Sequence, residues 1–263
     1  MDIFLFDWCF FKCIIRVLDI LIKDKLMQII ILDTETTGID EQARLVQLAY
    51  KNITTGEIVD EYFKPPVPIS YGAMAISHIT EAMVVDKPVF DGSSFQVNLK
   101  TILENNILVA HNAPFDIKIL KNEGVKTGKN IDTVRLARHL FDSEQYKLQY
   151  LRYFLKLNVE GKAHDAMGDI LVLEALFDYL KKAVKEKFSL VSDNDIFQKM
   201  IELTQTPVLL KVFTFGKYIG KSFEEVNSTD QGYLKWLFGS ESSKDELSQN
   251  EELIYTLKKY LAL

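Results

Sequence analysis

The chain has 263 residues, of which 48% are hydrophobic and 26% are charged, and its formal net charge at pH 7 is −6. This composition is ordinary for a globular protein with one substantial core and a smaller second unit. The negative charge argues against a protein that coats nucleic acid by charge alone, but it does not exclude an enzyme that handles a polyanion at one metal-filled site.

Residues 1–26 contain both cysteines of the chain, Cys9 and Cys13. A disulfide framework is therefore excluded for the main domain, and a cytoplasmic location is predicted. Charged residues interrupt the apolar run every few positions, so the segment is predicted to be neither a membrane span nor a signal peptide. It is either an amphipathic helix that needs a partner surface or an extension upstream of a natural start. Met27 stands immediately before the first strand, which favours the second interpretation.

Strands dominate the next part of the chain. Residues 28–33 form a continuous apolar run, which predicts a strand covered on both faces. Two shorter strands are predicted over residues 44–52 and 57–63, with Thr55 and Gly56 as the turn between them. An irregular loop should follow, because it contains three closely spaced prolines: Pro65, Pro66 and Pro68.

Helices then alternate with one more strand. The predicted elements are a helix over residues 95–104, a buried strand over 107–110, and helices over 114–123, 133–141 and 165–182. Pro114 falls in the first turn of its helix and Gly124 lies just past the end of that helix. Asp132 is expected to cap the helix that follows it. Buried strands covered by helices predict an α/β fold with a sheet between helical layers.

A charged stretch over residues 181–187 is predicted to end a main domain over residues 27–185. Residues 190–263 are predicted to form a small α+β module. Its expected elements are a helix over 193–204, a hairpin-like strand pair, and helices near 232–238 and 251–261.

Five side chains in three short motifs suggest chemistry. In DTETTG, Asp33 and Glu35 project to the same side of a strand, because side chains alternate along it. HNAPFD follows the strand over residues 107–110, at the edge where ligands gather in α/β sheets, and places Asp116 on the first turn of a helix. In HDAMGD, His164 precedes the long helix and Asp169 lies one turn inside it. Each motif alone is common, so the combination carries the hypothesis.

Four clustered carboxylates would repel each other unless cations lay between them. Oxygen-only acidic sites suit Mg²⁺ or Mn²⁺, whereas zinc prefers cysteine and histidine ligands. Two ions about 4 Å apart would relieve the repulsion and clamp the attacking and leaving oxygens of a phosphodiester. Histidine titrates near neutral pH, so His164 can take a proton from the attacking water. His111 is expected to be structural and His139 to lie on a solvated face.

The three motifs, in this order and spacing, resemble those of the DnaQ-like 3′–5′ exonucleases with a histidine in the third motif. The resemblance covers about residues 27–183. It implies an RNase H-like three-layer fold and release of nucleoside 5′-monophosphates from a 3′ end. It also implies that the metal ligands are Asp33, Glu35, Asp116 and Asp169, and that His164 is the general base. The 3′ polarity comes from the resemblance only.

The same resemblance suggests residues around the terminal nucleotide. Thr36, Thr37 and Gly38 would line its pocket through backbone contacts, with His78 and Phe115 nearby. Structural roles are also open for these residues. Phe115 could belong to the core, His78 to a turn, and the threonines to the end of the strand.

The segment FGKYIGKSFEEV and the DQGYLKWL after it resemble a small module appended to some bacterial members of this family. Its glycines, lysines and aromatic residues could form a stacking and phosphate-binding platform. The alternative is a tight hairpin with its own core and solvated lysines. The acids Glu224 and Glu225 favour this alternative.

The predicted function is a metal-dependent 3′–5′ exonuclease acting on single-stranded DNA or frayed ends. The alternatives are an exoribonuclease that trims short RNA and a catalytically silent module that binds ends. Nucleic acid 3′ ends are the expected partners, no membrane is involved, and a DNA polymerase partner is implied by family analogy alone.

Overall fold

The computed structural model describes residues 27–159, 166–245 and 249–263. The predictions for residues 1–26, His164 and Asp165 lie outside the described residues.

At the centre is a sheet in the order β3-β2-β1-β4-β5. Its strands are β1 (Ile29–Thr36), β2 (Leu45–Asn52), β3 (Ile58–Tyr62), β4 (Ile107–Ala110) and β5 (Asn130–Asp132). Strands β1, β4 and β5 run parallel, whereas β2 is antiparallel to both β1 and β3. The carboxyl ends of β1, β4 and β5 therefore meet at one edge.

Eleven helices are found among the described residues. They are α1 (Tyr71–Ser77), α2 (Glu81–Val84), α3 (Ser94–Asn105), α4 (Ala113–Asn122), α5 (Thr133–Leu140), α6 (Leu148–Phe154), α7 (Ala166–Lys187), α8 (Asp193–Gln205), α9 (Phe223–Thr229), α10 (Gln231–Ser242) and α11 (Glu251–Leu261). None of them has the length and apolar character needed to cross a membrane, within the part of the chain that is described.

The first half of strand β1, Ile29–Leu32, is buried on both faces, which explains its unbroken apolar sequence. Ile29 and Ile31 face a core cluster built with α5, α6, α7 and α8. Ile30 and Leu32 face a second cluster built with α3 and α4. The sheet thus lies between two helical layers, and the predicted three-layer α/β fold is confirmed. The side chains that continue each face beyond Leu32 emerge at the edge where the parallel strands end.

The charged break predicted over residues 181–187 is wrong, because α7 continues through it to Lys187. Leu180 and Val184 remain fully buried in the first core cluster, four residues apart on one helical face. The lysines of the stretch lie on the other side, which explains why the sequence alone suggested a break.

Helix α8 packs with the main core, although the predicted boundary at residue 190 would assign it to the small module. Ile196, Met200 and Ile201 are buried in the same cluster as α7. The Thr204 hydroxyl accepts a hydrogen bond from the backbone amide of Asp132 in β5 (3.0 Å). By packing, the division between the two units therefore falls after α8.

A separate core cluster holds the C-terminal module together, with Phe213, Phe223 and Leu234 at its centre. The hairpin-like strand pair expected there is found in a short form, in which the Phe213 amide donates to the Lys221 carbonyl (2.8 Å) and the Phe223 amide donates to the Lys211 carbonyl (3.1 Å). The described part of the module contains only one antiparallel bridge, between Val212 and Ser222, and three helices. Aromatic packing dominates: the rings of Phe213 and Phe223 stack with centroids 3.9 Å apart.

Candidate active site

Asp33 and Glu35 lie at the carboxyl end of β1 on the face that α7 covers. Ile29 and Ile31 precede them on that face, and the alternation of the strand carries the acids into line. The register with β2 is regular up to the pairing of Glu35 with Gln47 and shifts between Glu35 and Thr36. A shift of this kind turns the chain, so the two acids project from the last regular part of the strand.

Asp116 approaches the same strand end from the other helical layer. It lies in the first turn of α4, just after β4, and is 4% exposed. The Thr34 hydroxyl, between the two acids of β1, donates a hydrogen bond to Asp116 Oδ1 (2.7 Å). This contact fixes Asp116 beside Asp33 and Glu35.

Asp169 completes the group from the first turn of α7. Gln149 in α6 donates a hydrogen bond from Nε2 to Asp169 Oδ1 (2.5 Å). Asp169 also lies close enough to both acids of β1 to raise their pKa values. The structure therefore brings together the four carboxylates that three separate motifs contribute.

Three of the carboxylates, those of Asp33, Glu35 and Asp116, hold their protons more tightly than ordinary acids. Burial and the neighbouring charges of Asp116, Glu35 and Asp169 raise the pKa of Asp33 well above its usual range. Burial, with a contribution from Asp169, raises the pKa of Glu35 to about 7. Burial also raises the pKa of Asp116 to about 7, although the hydrogen bond from Thr34 opposes the rise. A site of this kind favours cations, because they would offset both burial and repulsion.

The donor set fits hard divalent ions in its chemistry. It consists of carboxylate oxygens only, which Mg²⁺ and Mn²⁺ prefer. Among the described residues, however, no three His, Cys, Asp or Glu side chains form a ready-made metal site. One oxygen of Asp116 is taken by Thr34 and one of Asp169 by Gln149. Partners of this kind orient the carboxylate ligands in metalloproteins.

Two cavities open beside the acids. The first, of about 290 Å³, is lined by Thr34, Glu35, Thr36, Gly38, Ile39, Ser70, Gly72, Ala73, Ile76 and Phe115. The second, of about 380 Å³, is lined by Asp33, Thr34, Glu35, His111, Lys147, Leu148, Gln149, Tyr150 and Asp169. Thr34 and Glu35 belong to both linings, so the cavities meet at the acids. We call them the Phe115 pocket and the Lys147 cavity.

Three of the predicted substrate-binding residues, Thr36, Gly38 and Phe115, line the Phe115 pocket. Thr37 instead contacts the residue just before β2, because its hydroxyl accepts a hydrogen bond from the Arg44 amide (2.9 Å). His78 is exposed at the end of α1 in a left-handed backbone conformation (φ 59°) and lines neither cavity. The roles of all five residues in binding substrate stay predictions.

The predicted structural roles of two other residues are supported by their contacts. His111 bridges the Thr133 hydroxyl (2.9 Å) and the Tyr146 carbonyl (2.8 Å). Asp132 caps α5 through the Val134 amide and also accepts from the Asn112 amide, both at 3.0 Å. These bonds fix the loop of the second motif.

The prediction of a solvated His139 is wrong. The side chain is half-buried between α5 and the segment after α8, and its Nε2 hydrogen-bonds the Thr206 carbonyl (2.9 Å). Sequence reasoning also missed Gln149, Lys147 and the lining of the Phe115 pocket that α1 contributes. Their only sequence signal is proximity to predicted elements, which does not indicate that they reach the acids.

Residues 30–177 match the model of a family described as exonuclease, and residues 213–242 match one described as exodeoxyribonuclease X-like C-terminal. The first match covers more than half of the chain. The chain belongs to this exonuclease family. The recognised DnaQ-like resemblance and that of the appended module are both confirmed, and exonuclease activity toward phosphodiester bonds follows from the family. Members of the family use divalent metal ions.

Among curated relatives, exodeoxyribonuclease 10 of Escherichia coli (strain K12) is 35% identical over 238 residues, which cover 88% of this chain and 97% of that protein. DNA polymerase III subunit epsilon of Rickettsia prowazekii (strain Madrid E) is 29% identical over 183 residues, covering 63% of this chain and 79% of the relative. A solved structure of exonuclease X in complex with 5′ overhanging duplex DNA superimposes with a TM-score of 0.53 and 31% identity, covering 67% of this chain and 99% of that one.

Proposed function

We propose that this exonuclease removes nucleotides from the 3′ end of DNA with the help of two Mg²⁺ or Mn²⁺ ions, and that it releases nucleoside 5′-monophosphates. The observation that carries the proposal is the meeting of Asp33, Glu35, Asp116 and Asp169 at one strand edge. The names of the relatives support DNA as substrate, since one is an exodeoxyribonuclease and another was solved with duplex DNA.

Each residue has a distinct part in the proposed reaction. The four carboxylates hold the ions, which when bound stabilise the charge that develops on the attacking and leaving oxygens. Thr34 orients Asp116 and Gln149 orients Asp169 through the hydrogen bonds described above. His164 accepts the proton of the attacking water. The Phe115 pocket takes the terminal nucleotide, with Phe115 against its base or sugar.

A nuclease assay tests the proposal. An oligodeoxynucleotide labelled at its 3′ end should release labelled mononucleotide only when Mg²⁺ or Mn²⁺ is present. A 5′-labelled copy should shorten by single nucleotides, which establishes the polarity. Asp33→Ala serves as the matched control for a contaminating nuclease. The proposal fails if wild type is no faster than this variant.

His164→Ala separates the general base from the metal ligands. Loss of a positioned base slows turnover by roughly 10²- to 10⁴-fold. Metal binding, measured by calorimetry with Mn²⁺, should survive in this variant. If Mn²⁺ binding is lost instead, His164 is a ligand and the assignment is wrong.

Two further outcomes separate the alternatives. Faster cleavage of RNA than of DNA of the same sequence would favour the exoribonuclease. Binding of 3′ ends without turnover would favour a silent end-binding module. A polymerase partner is suggested by family analogy and by the names of relatives such as the Rickettsia protein, and copurification with a polymerase subunit would test it.

A further inference from the structure

Lys147 and Tyr150 line the Lys147 cavity, but neither has a role in the reaction proposed above. We propose that this cavity binds the nucleotide on the 5′ side of the scissile phosphate, with Tyr150 stacking on its base and Lys147 contacting its 5′-phosphate. The inference rests on the proposed function, because it requires a strand whose 3′ end lies at the acids.

The continuity of the two cavities gives the path of the strand. They share Thr34 and Glu35, so the acid group lies at the passage between them. A terminal nucleotide in the Phe115 pocket places its 5′-phosphate at the acids. The preceding nucleotide, whose O3′ is the leaving group, must then lie on the other side of the passage. The Lys147 cavity is the space on that side.

The surface beyond the Lys147 cavity suits a continuing strand. Tyr150 is followed along α6 by Tyr153 and Phe154, which are 74% and 45% exposed. Arg152 lies over the Tyr153 ring, with its guanidinium carbon 5.6 Å from the centroid. Exposed aromatic residues beside cations are typical of surfaces that bind single-stranded nucleic acid. By contrast, the Phe115 pocket is bounded by α1, so it suits the end of a nucleic acid strand.

Lys147 supplies a positive charge at the mouth of the cavity. It occupies the position just before α6, and its side chain is exposed while lining the cavity with the acids. No hydrogen-bond or ion-pair partner of its amine is found among the described residues. With cations bound to the acids, the amine would be available to a phosphate, to which lysine binds as a point charge. The next phosphate of the strand is the nearest acceptor.

Tyr150 presents an aromatic ring that is already supported. It stacks on Phe154, with centroids 6.2 Å apart and planes at 23°, and Phe154 in turn lies 6.1 Å from Phe141. Because Phe154 already supports the Tyr150 ring, the ring loses little conformational freedom when a base stacks on it. Each stacked base contributes a substantial, sequence-tolerant part of binding. The cavity would therefore accept any base.

Dinucleotides test the role of Lys147. A deoxydinucleotide with a 5′-phosphate and one without it differ only in the phosphate that Lys147 should contact. We expect wild type to show a kcat/KM roughly fivefold higher for the phosphorylated form, as for one exposed charge pair. Lys147→Gln should abolish this preference. Lys126→Gln, an exposed lysine in the loop before β5 at the opposite end of the parallel strands, should keep it.

A conservative pair of variants tests Tyr150. Tyr150→Leu should lower kcat/KM on a normal dinucleotide roughly tenfold, as expected from loss of one stacked base, whereas Tyr150→Phe should stay near wild type. With an abasic sugar in place of the 5′ nucleoside, wild type and Tyr150→Leu should be equal.

A substrate without the 5′ nucleotide separates this subsite from the reaction itself. The methyl ester of thymidine 5′-monophosphate keeps the terminal nucleotide and its phosphate, but it has no ring or second phosphate that could contact Tyr150 or Lys147, so all variants should hydrolyse it as wild type does. Equal losses on the ester and the dinucleotides would overturn the subsite and assign Lys147 and Tyr150 to the acids. If wild type hydrolyses neither the ester nor the dinucleotides, the proposed function is wrong, and the proposed subsite is then wrong as well.

Discussion

Asp116 combines deep burial with a pKa near neutrality, which links the site to the stability of the fold. Its pKa is about 7 in the folded protein, against 3.8 for an ordinary aspartate. The folded chain therefore holds a proton between these values that the unfolded chain releases. Stability from this group is fully present below about pH 4 and is lost as the pH rises through 7. At about 1.4 kcal/mol per pH unit, the loss is up to about 4 kcal/mol.

Asp116→Asn tests this dependence in the presence of a chelator. The amide keeps an acceptor for Thr34 but cannot ionise, so the variant should be more stable than wild type at pH 8 and similar to it at pH 5. Melting temperatures measured over this range would decide. A difference between the two proteins that does not change with pH would contradict the prediction.

Thr34→Val removes the hydroxyl that orients Asp116 and preserves the shape of the side chain. Loss of such an orienting partner typically lowers metal affinity or activity by about 10- to 100-fold. We expect the Mg²⁺ concentration for half-maximal activity to rise by this factor. Thr101→Val, on the exposed face of α3, where the hydroxyl bonds only its own helix, should behave as wild type. An unchanged Mg²⁺ dependence of Thr34→Val would show that the bond is dispensable.

The acids of the site could be predicted from sequence, whereas their partners could not. Asp33 and Glu35 share a face by strand alternation, and Asp116 follows a strand end, so both placements follow from local geometry. Gln149 reaches Asp169 only because α6 packs beside α7. Nothing local to Gln149 indicates that contact, because it depends on tertiary packing.

At the scale of elements, the approach of the segment before β5 to α3 depends on a glycine. A Cβ at Gly128 would lie 2.7 Å from the Glu104 carbonyl oxygen and 3.3 Å from that of Leu103. Both neighbours are backbone, so they cannot rotate away. Gly128→Ala should therefore force the segment from α3 and destabilise the protein by about 1–3 kcal/mol, as overpacking does.

Gly239→Ala is the matched control for this change. Gly239 lies within α10, and a Cβ there would meet no atom within 4 Å. Alanine should thus stabilise the protein by about 0.5–1 kcal/mol, because it favours the helix. Urea unfolding of both variants gives the comparison. Equal effects would mean that the close contact at Gly128 costs nothing.

Elements with strong local signals were predicted well. Pro114 and Gly124 bracket α4 as expected, and α11 has the predicted bounds. Strand β5 was missed because it has three residues, too few for a pattern. Helix α1 was missed because the preceding prolines indicated a loop. These short elements are stabilised by packing, as when Ile69, Ile79 and Val84 meet Val46 of β2.

At the scale of the molecule, the C-terminal module is joined to the main core largely by polar contacts. Arg138 of α5 forms a bidentate pair with Glu252 of α11, at 2.7 and 2.6 Å. Lys211 pairs with Asp142 (2.6 Å), but both side chains are largely exposed, so this pair contributes little. Among the described residues, no side chain of the module belongs to either core cluster of the sheet. The exonuclease core should therefore fold without it.

The position of the division can be tested by truncation, because α8 lies between the two candidate boundaries. A chain ending after Thr206 keeps both core clusters of the sheet. A chain ending after Leu190, the boundary predicted from sequence, loses Ile196, Met200 and Ile201 from the first cluster and the Thr204 bond to β5. At about 1.5–3 kcal/mol for each large apolar side chain, the loss from burial alone is roughly 5–9 kcal/mol.

A loss of that size equals the whole stability of many domains, about 5–15 kcal/mol. The chain ending at Thr206 should therefore unfold cooperatively on heating and keep its metal-dependent nuclease activity. The chain ending at Leu190 should be insoluble or lack a cooperative transition. Circular dichroism melts and the dinucleotide assay on both would decide. If the shorter chain melts as cooperatively as the longer one, α8 is no part of the core, and the boundary at residue 190 is correct.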